Sequence, residues 1–240
     1  MWIAILLITA YVVATIYTNR HYKQWPIRRT FCWIFGVIVA VLSVTGPLAE
    51  AAHMNFTYHM IGHLLFGMLA PLLLVFSAPV TLLLRTLPTK YARYLTKLLK
   101  STYAKVITHP AVATAQNIAG PYGLYTMGLY SYMHENDFVY FFIHMHIFLA
   151  AYLFTMSIIY IDPVFHRHSF RKRALALIIG IAGHSVIAKW IYIQPPIGVT
   201  PEHAQTGAYF MYYGGDLIEG VLIFTLCWQW YKATRKYSYR

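Results

Sequence analysis

Long runs of apolar residues, separated by short polar stretches, dominate this chain and predict membrane-spanning helices. A spanning helix needs about 20 mostly apolar residues. Seven segments meet that requirement: 1–18, 30–49, 57–84, 112–133, 138–160, 174–193 and 207–231. The predicted fold class is therefore an all-α integral membrane protein, a seven-transmembrane-helix bundle that forms a single polytopic domain over residues 1–240.

Two of the seven segments contain helix breakers. The third is long and carries Pro71 and Pro79. We expect it to kink or break and to turn along the cytoplasmic surface. The fourth contains Gln116 and Asn117 and the helix-breaking Gly120-Pro121 pair, so of the seven segments it has the weakest spanning pattern.

The positions of the charged residues predict how the helices are oriented. Hydrophobic residues make up 59% of the chain and charged residues 11%, and the formal net charge is +12. All but one of the 19 Lys and Arg residues lie in alternate loops or in the C-terminal tail, and the exception is Lys189. The positive-inside rule then places the N-terminus outside and the C-terminus in the cytoplasm. The positive charge therefore indicates topology and membrane lipid, and no nucleic acid is expected.

Eight of the 12 histidines fall in the outer half of this predicted bundle: His53, His59, His63, His134, His144, His146, His184 and His203. At about 1.5 Å per residue, those at 63, 144 and 146 lie about 9–12 Å below the outer surface. By the same rise, His184 and Asp216 lie at about 14 Å. Ionisable groups are costly inside a membrane, and imidazole is the commonest side-chain metal ligand. The pattern therefore predicts a metal site.

Spacing narrows the candidate ligands. His59 and His63 are four residues apart and share one helix face, so both can bind one ion. A step of two residues turns a helix by about 200°, so His144 and His146 cannot both point into one site, and we favour His144. Five methionines occupy the same zone, and thioether with imidazole suits copper, particularly Cu(I). The predicted metal ligands are His59, His63, His144, His146, His184 and Asp216.

Structural explanations compete with this prediction. A histidine in a transmembrane helix often bonds to a neighbouring helix, and methionine commonly fills space in a core. Asp216 serves either the metal, as a ligand or as an acceptor that orients a ligand, or Lys189, as its counter-ion. The other four histidines lie in basic loops, where solvated or lipid-facing positions are expected: His21, His109, His166 and His168.

The start of the third segment carries a resemblance to a known family. The run from His53 to His63, His-Met-Asn-Phe-Thr-Tyr-His-Met-Ile-Gly-His, is followed by Met-Leu-Ala-Pro at 68–71 and Ser-Ala-Pro-Val at 77–80. These motifs, with the pair His144 and His146 and the glycine-flanked Asp216, resemble the CtaG family of Gram-positive bacteria. The resemblance covers most of the chain from about residue 50 onward. It implies a bacterial plasma-membrane factor that assists assembly of caa3-type cytochrome c oxidase, with oxidase subunits as partners.

The leading hypothesis is thus an assembly factor that binds copper through outer-leaflet histidines and assists its delivery to oxidase apoprotein. One alternative is a membrane b-type cytochrome, since histidines on facing helices at equal depth also ligate haem. Another is an ion- or proton-coupled transporter, which Asp216, Glu219 and the broken third segment would suit. An enzyme is not expected, because no nucleophile–base pair or nucleotide loop is visible. The sequence leaves open whether the chain forms a homo-oligomer.

Overall fold

The computed structural model describes residues 2–235, apart from the side chain of His134, and this part of the chain is helical without strands. Lys236 and Arg240 of the predicted basic tail lie outside the described residues. The helices are α1 (Trp2–His21), α2 (Ile27–Val44), α3 (Pro47–Met54), α4 (Phe56–Leu64), α5 (Ala70–Phe76), α6 (Pro79–Thr86), α7 (Thr89–Leu99), α8 (Thr102–Ile107), α9 (Pro110–Thr126), α10 (Leu129–Glu135), α11 (Asp137–Ile158), α12 (Phe170–Ile193), α13 (Pro201–Tyr209) and α14 (Gly215–Arg235). Single π-helical turns, Leu65–Leu69 and Phe210–Gly214, join α4 to α5 and α13 to α14.

Within residues 2–235, six helical segments are long and apolar enough to cross a membrane. They are α1, α2, the continuous α4–α5, α11, α12 and the continuous α13–α14. The fourth predicted span corresponds to α9, a helix of 17 residues that is not among the six. The chain is therefore a multi-pass helical membrane protein. The count of seven and the orientation of its ends remain predictions.

The break predicted in the third segment is present, and its two prolines act differently. Pro71 cannot donate the bond to the carbonyl four residues back, and the π-helical turn Leu65–Leu69 directly precedes it. The helix ends near Ala78, which adopts a left-handed φ of 54°, and Pro79 starts α6. Asp162 holds this new start by accepting two backbone N–H groups of the first turn of α6, at 3.1 and 2.7 Å.

The Gly120-Pro121 pair, although helix-breaking by local preference, does not interrupt its helix. α9 continues through Pro121 and stops at Thr126, where Gly128 adopts a φ of 75°. The predicted fourth span, 112–133, is therefore two helices, α9 and α10. Pro121 deletes one backbone bond, and the packing of α9 against both α11 and α12 offsets that loss.

Candidate metal centre

Four of the predicted ligands lie in two neighbouring pairs at the centre of the bundle. The ring centroids of His63 and His184 are 6.5 Å apart, and those of His59 and His144 are 6.3 Å apart. α4 supplies His59 and His63 from one face, one helical turn apart, while α11 and α12 supply the partners. His59, His63 and His184 are buried, with exposed fractions of 6%, 9% and 9%. The convergence expected from the sequence is therefore present for these four side chains.

Hydrogen bonds orient the pair formed by His59 and His144. The Nε2 atom of His59 lies 3.1 Å from the Tyr125 hydroxyl, a residue of α9 that the sequence did not single out. The Nδ1 atom of His144 lies 2.9 Å from the Tyr140 carbonyl, which only accepts, so Nδ1 carries the proton. In neutral His144 the lone pair is then on Nε2. Metal-ligating histidines are commonly fixed by such a bond from the other ring nitrogen.

Glu219 is the carboxylate that approaches the pair formed by His63 and His184. Its Oε1 atom lies 3.7 Å from Nδ1 of His184. The other polar atom of each side chain, Nε2 of His184 and Oε2 of Glu219, is buried without a hydrogen-bond partner among the described residues. Gly215 permits this approach, because a Cβ there would lie 2.5 Å from Cε1 of His184.

A small cavity of about 40 Å³ lies beside these two side chains. Its lining includes His63, Met68, Asn117, Pro121, His184 and Glu219. Because Pro121 has no N–H, the carbonyl of Asn117 lacks its usual helical donor at this point. The lining of the cavity therefore includes groups with lone pairs and one carboxylate, and its lining residues include no lysine or arginine. The cavity has room for one water or ion.

The donors fit a soft ion of low coordination. Among the described residues, no three His, Cys, Asp or Glu side chains lie close enough together to hold one metal ion. Two imidazoles that share an ion need a centroid separation of about 6 Å, since each metal–nitrogen bond is about 2 Å. Both pairs have nearly that spacing. Imidazole with a nearby thioether, here Met68, suits copper better than magnesium or calcium.

Two predicted ligands lie elsewhere. His146 packs toward α9, where a Cβ on Gly120 would be 3.3 Å from its ring, so it points away from His144 as the two-residue step requires. Asp216 is exposed. The structure also does not form the alternative pair with Lys189, whose ammonium lies over the Tyr212 ring at 5.5 Å. The carboxylate beside the histidines is instead Glu219, three residues after Asp216.

Three of the five methionines that the sequence singled out follow the structural explanation. Met60, Met133 and Met211 have exposed fractions of 0–1% and belong to one apolar core with Phe56. Met54 is 88% exposed. Met68, which lines the cavity with His63 and His184, was not among the five that the sequence singled out.

The position of Glu219 has a sequence signal that was overlooked. Gly215 and Glu219 are four residues apart and therefore share one helix face. A glycine inside an apolar span often marks close approach by a neighbouring helix. The residues on the face of Gly215, Glu219 among them, were therefore candidates for contact with a neighbouring helix.

With this geometry in place, the comparisons with known proteins identify the family. The profile of the cytochrome c oxidase caa3 assembly factor family, Caa3_CtaG, matches residues 9–233. The chain belongs to this family. The resemblance found in the sequence is thereby confirmed, and family membership together with the apolar helices indicates a bacterial membrane protein.

The chain is also similar to uncharacterized proteins of three mycobacteria. It is 30% identical to those of Mycobacterium bovis and Mycobacterium tuberculosis over 166 residues, and 29% identical to that of Mycobacterium leprae over 167. These matches cover 66–67% of this chain and 25% of each relative. The matched part thus spans about a quarter of the length of these curated relatives. No solved structure matches the chain.

Proposed function

We propose that this assembly factor binds copper between His63 and His184 and passes it to oxidase apoprotein. The observation that carries the proposal is the buried Nε2 atom of His184, which has no hydrogen-bond partner among the described residues, in a side chain that lines a small cavity together with His63. A buried polar atom without a partner costs free energy unless something binds it. An ion in the cavity would satisfy it.

The arrangement also suits release. Few side-chain ligands surround the cavity, so an incoming ligand from the oxidase could replace them one at a time. The pair formed by His59 and His144 lies one turn of α4 from His63, about 6 Å along the helix. It provides a second position toward the N-terminal end of α4. Copper is cargo in this proposal, and the protein supplies orientation and exclusion of water.

Metal analysis of the purified protein tests copper binding. Wild-type protein loaded with Cu(I) should retain about one copper per chain, and the double variant His63→Ala/His184→Ala should retain much less. The matched control is His21→Ala, because His21 is exposed and bonds only within α1 to the Tyr17 carbonyl, at 2.9 Å. Equal retention by the double variant would exclude this site. A Soret band in the purified protein would instead support the cytochrome alternative.

Oxidase activity tests the delivery step. Cells that lack this protein should lose activity of their haem–copper oxidase while haem synthesis stays intact. The double variant, present in the membrane at normal amount, should fail to restore activity. Full activity with the double variant would leave the family role intact and exclude copper delivery by these histidines.

We also infer that the N-terminal end of α1 faces outside and that the basic C-terminal tail faces the cytoplasm. The support is the alternation of basic loops. In a Cys32→Ser/Cys227→Ser background, new cysteines at positions 53 and 203 should react with an impermeant reagent in intact cells. Cysteines at 93 and 170 should react only after lysis. Labelling of position 93 in intact cells would reverse the orientation.

A further inference from the structure

A long apolar groove runs between α9 and α12 on the outside of the bundle. Its volume is about 530 Å³. Its walls are mostly small or apolar side chains, among them Ala111, Ala115, Ala119, Leu175 and Ile179. His109 and Lys172 line one end, where both helices begin, and Tyr122 lines α9 farther along.

The groove exists because α9 and α12 contact each other only along the faces that point into the bundle, and their outer faces stay apart. Thr114 donates a hydrogen bond to the Ala176 carbonyl at 3.3 Å. Farther along, Gly183 allows Ile118 of α9 to approach so closely that a Cβ would lie 2.6 Å from it. The alanines of α9, four residues apart, are exposed and too small to close the space outside these contacts. In a membrane the opening faces lipid.

Unpaired positive charge gathers at one end of the groove. The Nδ1 atom of His109 accepts the N–H of Ala111 at 3.2 Å, so the neutral ring carries its proton on Nε2 and can donate it. Lys172 is exposed, and both Lys105 and Lys172 act electrostatically on His168, whose ring lies 4.6 Å from that of His109. Neither lysine forms an ion pair with a carboxylate in the described part of the chain.

We propose that the groove binds one acyl chain of an anionic phospholipid, with its phosphate held by Lys172, Lys105 and the Nε2–H of His109. Charge complementarity selects this occupant, because a basic end that opens onto an apolar channel matches a lipid's phosphate and tail. From His109 to Tyr122 the channel follows α9 for about 20 Å at 1.5 Å per residue. One leaflet of hydrocarbon is about 15 Å deep, so a single tail fits this length. Basic pockets between transmembrane helices are known headgroup sites.

Native mass spectrometry of the full chain in detergent tests the headgroup. The probes are palmitoyl-oleoyl phosphatidylglycerol and the matching phosphatidylcholine, titrated separately. Wild-type protein should retain one phosphatidylglycerol and bind it more tightly than phosphatidylcholine. Lys172→Gln and Lys105→Gln should each weaken phosphatidylglycerol binding about fivefold and phosphatidylcholine binding less, because the choline cation offsets the phosphate charge. The matched control is Lys189→Gln, since that lysine lies over Tyr212 away from the groove. Equal binding of the two lipids by wild-type protein would overturn the proposal.

A second variant tests the tail. Ala115→Phe should fill the exposed groove and weaken binding of both lipids severalfold, while thermal unfolding of the lipid-free protein stays within a few degrees of wild type. Unchanged lipid binding by this variant would place any bound lipid elsewhere. If Ala115→Phe instead converts a dimer to a monomer without changing lipid binding, the groove is an interface between two copies and the lipid proposal is wrong.

Discussion

The protein contains two groups of histidines that differ in what surrounds them. The bundle cluster consists of His59, His63, His144 and His184, which lie among helices and beside Glu219. The loop cluster consists of His109, His166 and His168, which lie at the start of α9 and before α12. The bundle cluster has a carboxylate as its charged neighbour, whereas Lys105 and Lys172 act on the loop cluster.

The same imidazole group therefore suits opposite ligands in the two places. In the bundle cluster a carboxylate and buried lone pairs favour a cation. In the loop cluster, positive neighbours disfavour a further cation and favour an anion. The histidines of the loop cluster are half-buried, where the sequence led us to expect solvated or lipid-facing positions. The Nε2 atoms of His166 and His168 are buried, and the backbone N–H of His168 donates to the Tyr160 hydroxyl at 2.8 Å.

The largest expected effect comes from reversing the charge beside the bundle cluster. Glu219→Lys should abolish copper binding, because an ammonium would face His184 inside the membrane layer. The milder Glu219→Gln should weaken copper affinity by about 10–100-fold, the usual cost of removing a group that supports a ligand. Competition with a Cu(I) chelator measures both.

The neighbouring carboxylate supplies the control for this experiment. Asp216→Asn should leave the affinity nearly unchanged, because Asp216 is exposed and no contact with the histidines places it in the cluster. A greater loss with Asp216→Asn than with Glu219→Gln would indicate that Asp216, and not Glu219, is the carboxylate that serves the metal.

A paired glycine experiment tests the geometry of the bundle cluster without removing any ligand. Gly215→Ala would place a Cβ 2.5 Å from His184, whereas nothing lies within 4 Å of a Cβ on Gly220. Gly220→Ala should be neutral or stabilising by up to about 1 kcal/mol. Gly215→Ala should cost about 1–3 kcal/mol from overpacking and should also weaken copper binding. Chemical denaturation and chelator competition measure the two effects, and equal behaviour of both variants would contradict the described approach of His184 to α14.

The membrane fold and part of the bundle cluster could be predicted from the sequence. Apolar run length and loop charge were enough for a helical membrane protein, and helix periodicity was enough to place His59 and His63 on one face. Depth counting also placed His63, His144 and His184 in one layer, where the structure brings them together.

Other features depend on contacts between distant segments and were not predictable in this way. The choice between Asp216 and Glu219 is set by the rotation of α14 after the π-helical turn Phe210–Gly214, which local spacing does not show. The loop cluster forms only because α9 and the segment before α12 are adjacent. α9 continues through Pro121 because its neighbours hold it, which outweighs the local preference to break.

A smaller effect is expected from the loop cluster, where His109 caps α9 through its Nδ1 atom. His109→Ala should cost about 1 kcal/mol of stability, as loss of a helix cap commonly does, without changing copper affinity. His109→Asn should recover most of that loss, because an asparagine oxygen can accept the same N–H. A change in copper binding with His109→Ala would indicate that the two clusters are coupled.

The smallest expected effect is a pH dependence that belongs to the loop cluster. Burial, with the nearby His109 and Lys172, lowers the pKa of His168 below its ordinary value of 6.5. The unfolded chain then binds more protons than the folded one as the pH falls, so His168 opposes folding below about pH 6.5 and has no such effect above it. His168→Gln should therefore lose less thermal stability than wild type between about pH 7.5 and about pH 5.5. The control is His21→Gln at an exposed position, which should keep the wild-type dependence. A His168→Gln curve parallel to wild type across this range would show that burial and the neighbouring charges do not lower the pKa of His168 in the folded protein.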